Sequence, residues 1–284
     1  MNRFTLPDWV RRHPSFWPDG HLDEVRLRTL RRALLRFRAP HPLVSIVIPA
    51  YNEERTLLQT LSSLADQATR HPTELLVANN NSRDRTQELL DRCGVRSVLV
   101  TDQGVAYARQ AGLLAARGTY LLSADADCLY PPGWVDALVT PLLTDPAVSC
   151  TYGSYSFLPG SSSRWSLGLY ELASERAAAL RRPDREFVNV LGYNFAFRRA
   201  DALAVGGFNT DSGHRGEQAA TGRCEDGWMA LSLLERGHIR WVSDPDARVW
   251  TSPRRLEADG SLQQAFLKRA RREVGRVISS GFRV

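Results

Sequence analysis

Apolar positions along the chain follow two alternating spacings. VSIVIP (44–49), ELLVA (74–78), RSVLVT (96–101) and TYLLSA (119–124) are short runs of the strand kind, each followed by a stretch with helical spacing. Those stretches are EERTLLQTLSSLADQ, RDRTQELLDR, VAYARQAGLLAARG and GWVDALVTPLL. Four βα units in succession predict an α/β fold with a mainly parallel sheet and helices on both faces. Ligands in such sheets lie beyond the carboxyl ends of the strands.

Three of these strand ends carry polar clusters: Pro49-Ala50-Tyr51-Asn52-Glu53, Asn79-Asn80-Asn81-Ser82 and Asp125-Ala126-Asp127. The topology brings all three to one rim. Each cluster taken singly is also what turns and helix caps require. After residue 150 the strands are less clearly parallel. A helical stretch near 164–182 leads to FVNVLGYNFAFRRADALAVGGFN, and a polar loop over 209–223 is long enough to serve as a lid over the rim. It ends at Glu225-Asp226, which open a helix through GWMALSLLERG.

Composition narrows the function classes. A chain of 284 residues with 43% apolar and 24% charged residues has the make-up of a folded globular protein of one large domain or two small ones. The longest apolar runs fall well short of the roughly 20 residues that a membrane-spanning helix needs. The N-terminal stretch lacks the apolar centre of a secretory signal. Cys93, Cys128, Cys150 and Cys224 lie far apart without a CxxC pair, which argues against zinc and disulfide frameworks and for a reducing cytoplasm. The six histidines, His13 among them, adjoin prolines, glycines or loop ends apart from His214 in the candidate lid, and surface positions are expected for them. Of the net charge of +6, residues 1–42 contribute +5 and residues 248–284 contribute +6, leaving −5 on the centre. An acidic centre between basic ends is not the uniform basic face of a nucleic-acid binder.

Phosphate-loop, dinucleotide, HExxH and GxSxG motifs are all absent. A haloacid-dehalogenase-type site fails too, because residue 129 is Leu and Lys268, the single lysine, lies in a basic C-terminal segment without paired aspartates after it. Two adjacent carboxylates suit Mg²⁺ or Mn²⁺, which can bridge them to the phosphates of a nucleotide and leave a diphosphate as the leaving group.

Residues 43–256 resemble the family 2 glycosyltransferases of the GT-A fold through five collinear segments. VSIVIPAYNEE is similar to the family segment that wraps base and ribose, to which Pro49, Ala50, Tyr51 and Glu53 belong. Asn79 stands where the family has an Asp that accepts a hydrogen from the base; an amide oxygen accepts equally, but its nitrogen donates. In GVAYARQAGLLAARGTYLLSADADC, Arg109 matches a position facing the nucleotide and Gln110 replaces the usual Asn. The resemblance implies that Asp125 lies near ribose and sugar and contributes to the metal site, with Asp127 as the metal ligand. LGYNFAFRRADALAVGGFN resembles the segment beside sugar and acceptor. Asp226 matches the base that takes the acceptor proton, supported by Glu225, with Trp228 nearby as an acceptor contact. Acids in a first helical turn also complement the helix dipole, which by itself accounts for such pairs. In the closing strands Trp250 stands where a histidine often ligates the metal, and Arg254 and Arg255 are candidates to neutralise part of the diphosphate charge.

The expected architecture is thus a GT-A (Rossmann-like) domain over 43–256, divided into a nucleotide-binding half (43–150) and an acceptor half (151–256). A basic helical extension (1–42) precedes it and a basic helix (257–284) follows. Both basic ends place leucines between arginines, which suits either packing on the domain or peripheral contact with an anionic membrane. The implied activity is inverting transfer from a nucleotide-sugar donor to a glycan, lipid-linked or small-molecule acceptor in cell-envelope glycan or glycolipid synthesis. A catalytically inactive nucleotide- or glycan-binding relative and a sugar-nucleotide nucleotidyltransferase are the alternatives.

Overall fold

The structure, a computed structural model, describes residues 4–17, 20–210, 224–254 and 256. The lid residues 211–223, His214, Arg255 and the C-terminal helix expected over 257–284 lie outside the described residues.

The nucleotide half follows the predicted alternation: β1 (Val44–Ala50), α3 (Leu57–Ala65), β2 (Thr73–Asn79), α4 (Thr86–Cys93), β3 (Arg96–Leu99), α5 (Val105–Ala115) and β4 (Tyr120–Ser123). A short β5 (Cys128–Leu129), α6 (Trp134–Thr144), β6 (Val148–Tyr152), β7 (Ser154–Phe157) and α7 (Arg164–Arg185) follow. The chain continues through β8 (Phe195–Arg198), α8 (Arg199–Ala204), α9 (Glu225–Leu233), β9 (His238–Trp241) and β10 (Arg248–Thr251).

Two sheets result. In the larger one the order is β3-β2-β1-β4-β8-β6-β9; β1 to β4 are parallel, and β8 runs antiparallel to both β4 and β6. Strand periodicity sends alternate side chains to opposite faces. Ile46, Ile48, Leu75 and Val77 pack against the side that carries α3, α4 and α6, whereas Val47 and Leu76 pack with Leu113 of α5 and Met229 of α9. The smaller sheet, β5-β10-β7, joins the segment after β4 to the last described strand.

The N-terminal part forms α1 (Asp8–Arg11) and α2 (Glu24–Leu34). Leu27, Leu30 and Leu34 of α2 are buried, and the helix packs on α3 and α4. The leucines of this helix are thus buried on the domain, Arg28, Arg31 and Arg32 face water, and Arg26 lies over the Phe16 ring and donates to the Pro14 and Ser15 carbonyls. His13, expected at the surface, is only 5% exposed, with its ring nitrogen on Ser62 Oγ at 2.9 Å. Burial lowers its pKa, with Asp66 opposing. Val10 packs with Leu129 and Trp250, and the Trp17 indole N–H donates to the Glu54 carbonyl at 2.9 Å. Among the described residues no helix is long and apolar enough to cross a membrane.

Candidate active site

Because β2 and β3 extend the sheet from one side of β1 and β4 from the other, the strand order reverses between β1 and β4, where such folds open a crevice. The loops after β1 and β2 lock together there. Asn52 N–H donates to Ser82 Oγ (3.0 Å), Arg83 N–H to Asn52 Oδ1 (2.8 Å), Glu53 N–H to Thr86 Oγ1 (2.9 Å) and Glu54 N–H to Asp84 Oδ2 (3.0 Å). Asn52 and Asn81 adopt left-handed backbone at φ 54° and 59°, which asparagine tolerates better than most residues. Tyr51 stands out at the rim, 47% exposed, while Pro49 and Ala50 remain within β1. Asn79 is buried and its amide is oriented: Oδ1 accepts Ser82 N–H at 3.1 Å and Nδ2 donates to Gln87 Oε1 at 2.8 Å. Gln87, not singled out by the sequence, therefore decides which way that amide points.

The carboxylate pair follows β4. Asp125 N–H donates to the Tyr130 hydroxyl at 2.8 Å, and its Oδ1 accepts from Arg109 Nη2 at 2.8 Å. Asp127 accepts from Ser252 N–H at its carbonyl (3.1 Å) and from Arg254 Nη2 at Oδ2 (2.9 Å). The same Arg254 nitrogen reaches Glu53 Oε1 at 2.9 Å and Oε2 at 3.0 Å, so the loops after β1, β4 and β10 meet at one guanidinium. Burial works against the Arg254 charge, but these carboxylates raise its pKa.

Arg109, expected to face the nucleotide, is only 3% exposed and stands behind the carboxylates. Its guanidinium serves Asp125, Ser123 Oγ, the Gly192 carbonyl (2.8 Å) and Glu225 Oε1 (3.3 Å). Desolvation opposes its charge, and Asp125, Glu225 and Asp226 together raise its pKa. Asp226, in the first turn of α9, is 7% exposed. Its Oδ2 accepts Gly192 N–H at 2.6 Å, while Oδ1 accepts Gly227 N–H at 2.7 Å and the Cys224 thiol. A carboxylate has about four lone-pair positions, so these three donors aim the group and leave room for a further donor. Burial, and then the Asp226 charge, push the Glu225 carboxyl upward, with Arg109 pulling the other way. Gly192 thus ties both halves of the site, with its carbonyl on Arg109 and its N–H on Asp226. The sequence marked LGYNFAFRR as a segment but not this residue. Trp228 lines a cavity of about 350 Å³ with Phe208, Asn209 and Ser232.

Trp250 is fully buried among Val10 and Leu129, with Arg164 stacked 5.0 Å from its ring. Its side chain therefore belongs to the N-terminal packing, and Ser252 and Arg254 are what that segment presents to Asp127. Among the described residues, no group of three or more His, Cys, Asp or Glu could hold a metal. Mg²⁺ and Mn²⁺ nevertheless bind through one or two carboxylates with the remaining positions filled by water and phosphate oxygens. Asp127, whose Oδ1 has only the weak Cys128 thiol contact at 3.6 Å, fits that mode. Asp125, oriented by Arg109, is the second carboxylate of the pair.

Comparison with known proteins gives the family and the fold. The description "Glycosyl transferase family 2" matches residues 45–205. A glucosyl-dolichyl phosphate glucuronosyltransferase of Haloferax volcanii is 23% identical over 215 residues, 72% of this chain and 68% of its own. A UDP-Glc:alpha-D-GlcNAc-diphosphoundecaprenol beta-1,3-glucosyltransferase of Escherichia coli is 32% identical over 124 residues, 42% of this chain, which spans about half (48%) of that relative. Glucosyl-3-phosphoglycerate synthase from Mycobacterium tuberculosis, solved with Mn²⁺, UDP-Glc and phosphoglyceric acid, shares the fold with a TM-score of 0.54 at 22% identity, covering 84% of this chain and 80% of that one. The family match covers more than half of the sequence, and the mixed sheet with its β1/β4 crevice is the GT-A arrangement; the chain belongs to glycosyl transferase family 2 and is a glycosyltransferase.

Proposed function

We propose that the enzyme moves a sugar from a nucleoside-diphosphate donor to an acceptor hydroxyl with inversion, in the synthesis of a cell-envelope glycan or glycolipid. The observation that carries this reading is the continuous link Asp125–Arg109–Glu225 with Asp226 and Gly192 beside it, which fixes a base at a set distance from the donor carboxylates. Tyr51 offers an exposed ring to the base of the nucleotide, the Asn79 region borders that base, and Glu53 and Asp125 border the ribose. Asp127, with Asp125, would hold a Mg²⁺ or Mn²⁺ that neutralises the departing diphosphate. Asp226 takes the proton from the acceptor hydroxyl as that oxygen attacks the anomeric carbon from the side opposite the diphosphate. Water is kept from this base by its burial. The cavity at Trp228 receives the acceptor. The named relatives act on dolichyl- and undecaprenol-linked substrates, which supports a polyprenol-linked acceptor and, with it, work at the cytoplasmic face of a membrane.

The test is a panel of nucleotide sugars with Mn²⁺ or Mg²⁺ and candidate acceptors, monitoring released nucleoside diphosphate and the anomeric configuration of the product. Asp226→Asn should lower kcat by roughly 10²- to 10⁴-fold, the range for a lost general base, with donor affinity retained. Unchanged turnover in Asp226→Asn removes Asp226 as base. Donor binding without turnover by the wild type identifies an inactive relative instead.

A further inference from the structure

Arg254 is half exposed, yet one of its nitrogens, Nη2, contacts three carboxylate oxygens from two separate loops: Glu53 Oε1 and Oε2 and Asp127 Oδ2. No hydrogen bond ties its Nε or Nη1 to the described residues. A guanidinium is planar and has five N–H donors in a fork that matches phosphate oxygens. Here one arm of the fork is anchored on the carboxylates, and the rest of it remains for an anion at the same rim. Asp127 is also the side chain best suited to a divalent metal, and its Oδ2 is the oxygen that Arg254 holds. Two cations therefore have claims on one carboxylate.

Resting on the reading that Asp127 receives the donor diphosphate, we propose that Arg254 is a switchable internal cation: without donor it closes on Asp127 and Glu53 in competition with the divalent metal, and with donor it turns its fork onto the diphosphate. Among the described residues, Glu53 and Asp127 hydrogen-bond Arg254, whereas Asp125 and Glu225 bond Arg109. Arg109 is buried and committed to Asp125 and Glu225, so of the two guanidiniums that hold the carboxylate pair, Arg254 is the one that can move. Its departure from Asp127 frees that carboxylate for the metal at the moment the diphosphate arrives. Metal and donor should then bind cooperatively, each removing an obstacle to the other.

Arg254→Gln keeps a polar side chain but deletes the charge, and the competition predicts opposite effects on two ligands. By calorimetry or Mn²⁺ electron paramagnetic resonance without nucleotide, the variant should bind Mn²⁺ alone roughly fivefold to tenfold more tightly, since losing the pair frees Asp127 Oδ2 and removes a like charge. With EDTA present, the nucleoside diphosphate of the preferred donor should bind roughly tenfold more weakly, as loss of a charge-assisted phosphate contact requires. Arg254→Lys should retain much of the Mn²⁺ competition but lose much of the metal-free nucleotide binding, because an ammonium lacks the fork. Weaker binding of both ligands in Arg254→Gln, or unchanged Mn²⁺ affinity, overturns the proposal. Absence of nucleotide binding by wild type and variants under every condition overturns the donor reading and the switch onto diphosphate, whereas the Mn²⁺ measurement still decides the competition at Asp127.

Discussion

Gly192 offers a sharp test of how the two halves of the site are joined. A Cβ built there would stand 2.3 Å from Arg109 Nη2, 2.8 Å from its Cζ and 3.1 Å from Asp226 Oδ2. At a free arginine tip such a clash would cost little, since the side chain would swing away. This guanidinium is buried and committed to Asp125, Glu225, Ser123 and the Gly192 carbonyl. It must retreat by roughly 1 Å to restore ordinary contact, and the backbone N–H to Asp226 is disturbed at the same time. Loss of one charge-assisted hydrogen bond costs about 1.5–3 kcal/mol. For a chain of this size that corresponds to a fall in Tm of roughly 3–5 °C. If the same free energy is lost from the transition state, kcat drops by roughly ten- to a hundredfold. Thermal unfolding and nucleoside-diphosphate release, measured on one preparation of Gly192→Ala, check both. Gly227→Ala is the control, because among the described residues its Cβ would meet only Cys224 Sγ at 4.0 Å, and helix propensity then favours a Tm equal to or above wild type. Unchanged Tm and turnover in Gly192→Ala would refute the linkage. A lower Tm with full activity would restrict Gly192 to holding the fold.

Further outcomes follow from groups away from the rim. Glu74 is buried, and although burial raises its pKa, the Ser45 hydroxyl and then the Arg117 N–H and guanidinium hold its carboxyl below the ordinary glutamate value. A lowered folded-state pKa gives stability that is present above the unfolded-state value and is lost as pH falls through the folded-state one. Urea midpoints of the wild type should therefore drop on acidification below about pH 4.5, and those of Glu74→Gln should drop less over that window. At neutral pH Glu74→Ala should cost about 1–3 kcal/mol, because the buried Ser45 hydroxyl loses its acceptor while the half-exposed Arg96 and Arg117 regain water, and an unchanged midpoint would contradict the network. Leu30→Ala should cost about 2–4 kcal/mol by the cavity it leaves beneath α2, seen as a lower Tm; no change would mean that α2 is not packed on the domain.

The rim was legible because strand and helix periodicities assign loops to ends of a sheet without any knowledge of side-chain partners. Once four βα units are read, Tyr51, Asn79 and Asp125 must share an edge. The first-turn position of Glu225 and Asp226 was likewise visible from the apolar spacing after them. What periodicity does not carry is which distant side chain completes a contact. Arg109 lies on a helix face that packs inward, and nothing local distinguishes a guanidinium meeting phosphate from one meeting Asp125 and Glu225. Trp250 is buried with Val10 and Leu129, and no spacing in the chain links position 10 to position 250. The same ignorance of partners hid Gln87 behind Asn79, Tyr130 behind Asp125, and the inward turn of His13.

The cluster of Val10, Leu129 and Trp250 also bears on the order of assembly. Its members come from near the start of the chain, its middle and the last described strand. A chain emerging from the ribosome can pair β1 with β2 early, since their sequence separation is short. Val10 must wait until β10 has been synthesised and laid against β5. Closing so long a loop is slow relative to local pairing, and until it happens an apolar face of the β5 turn, immediately beside Asp127, stays open to water. The carboxylate rim is therefore among the last parts of the molecule to set, and slow refolding phases should be read out more strongly by the fluorescence of a variant that keeps Trp250 as its single tryptophan, and by recovery of donor binding, than by the appearance of helix.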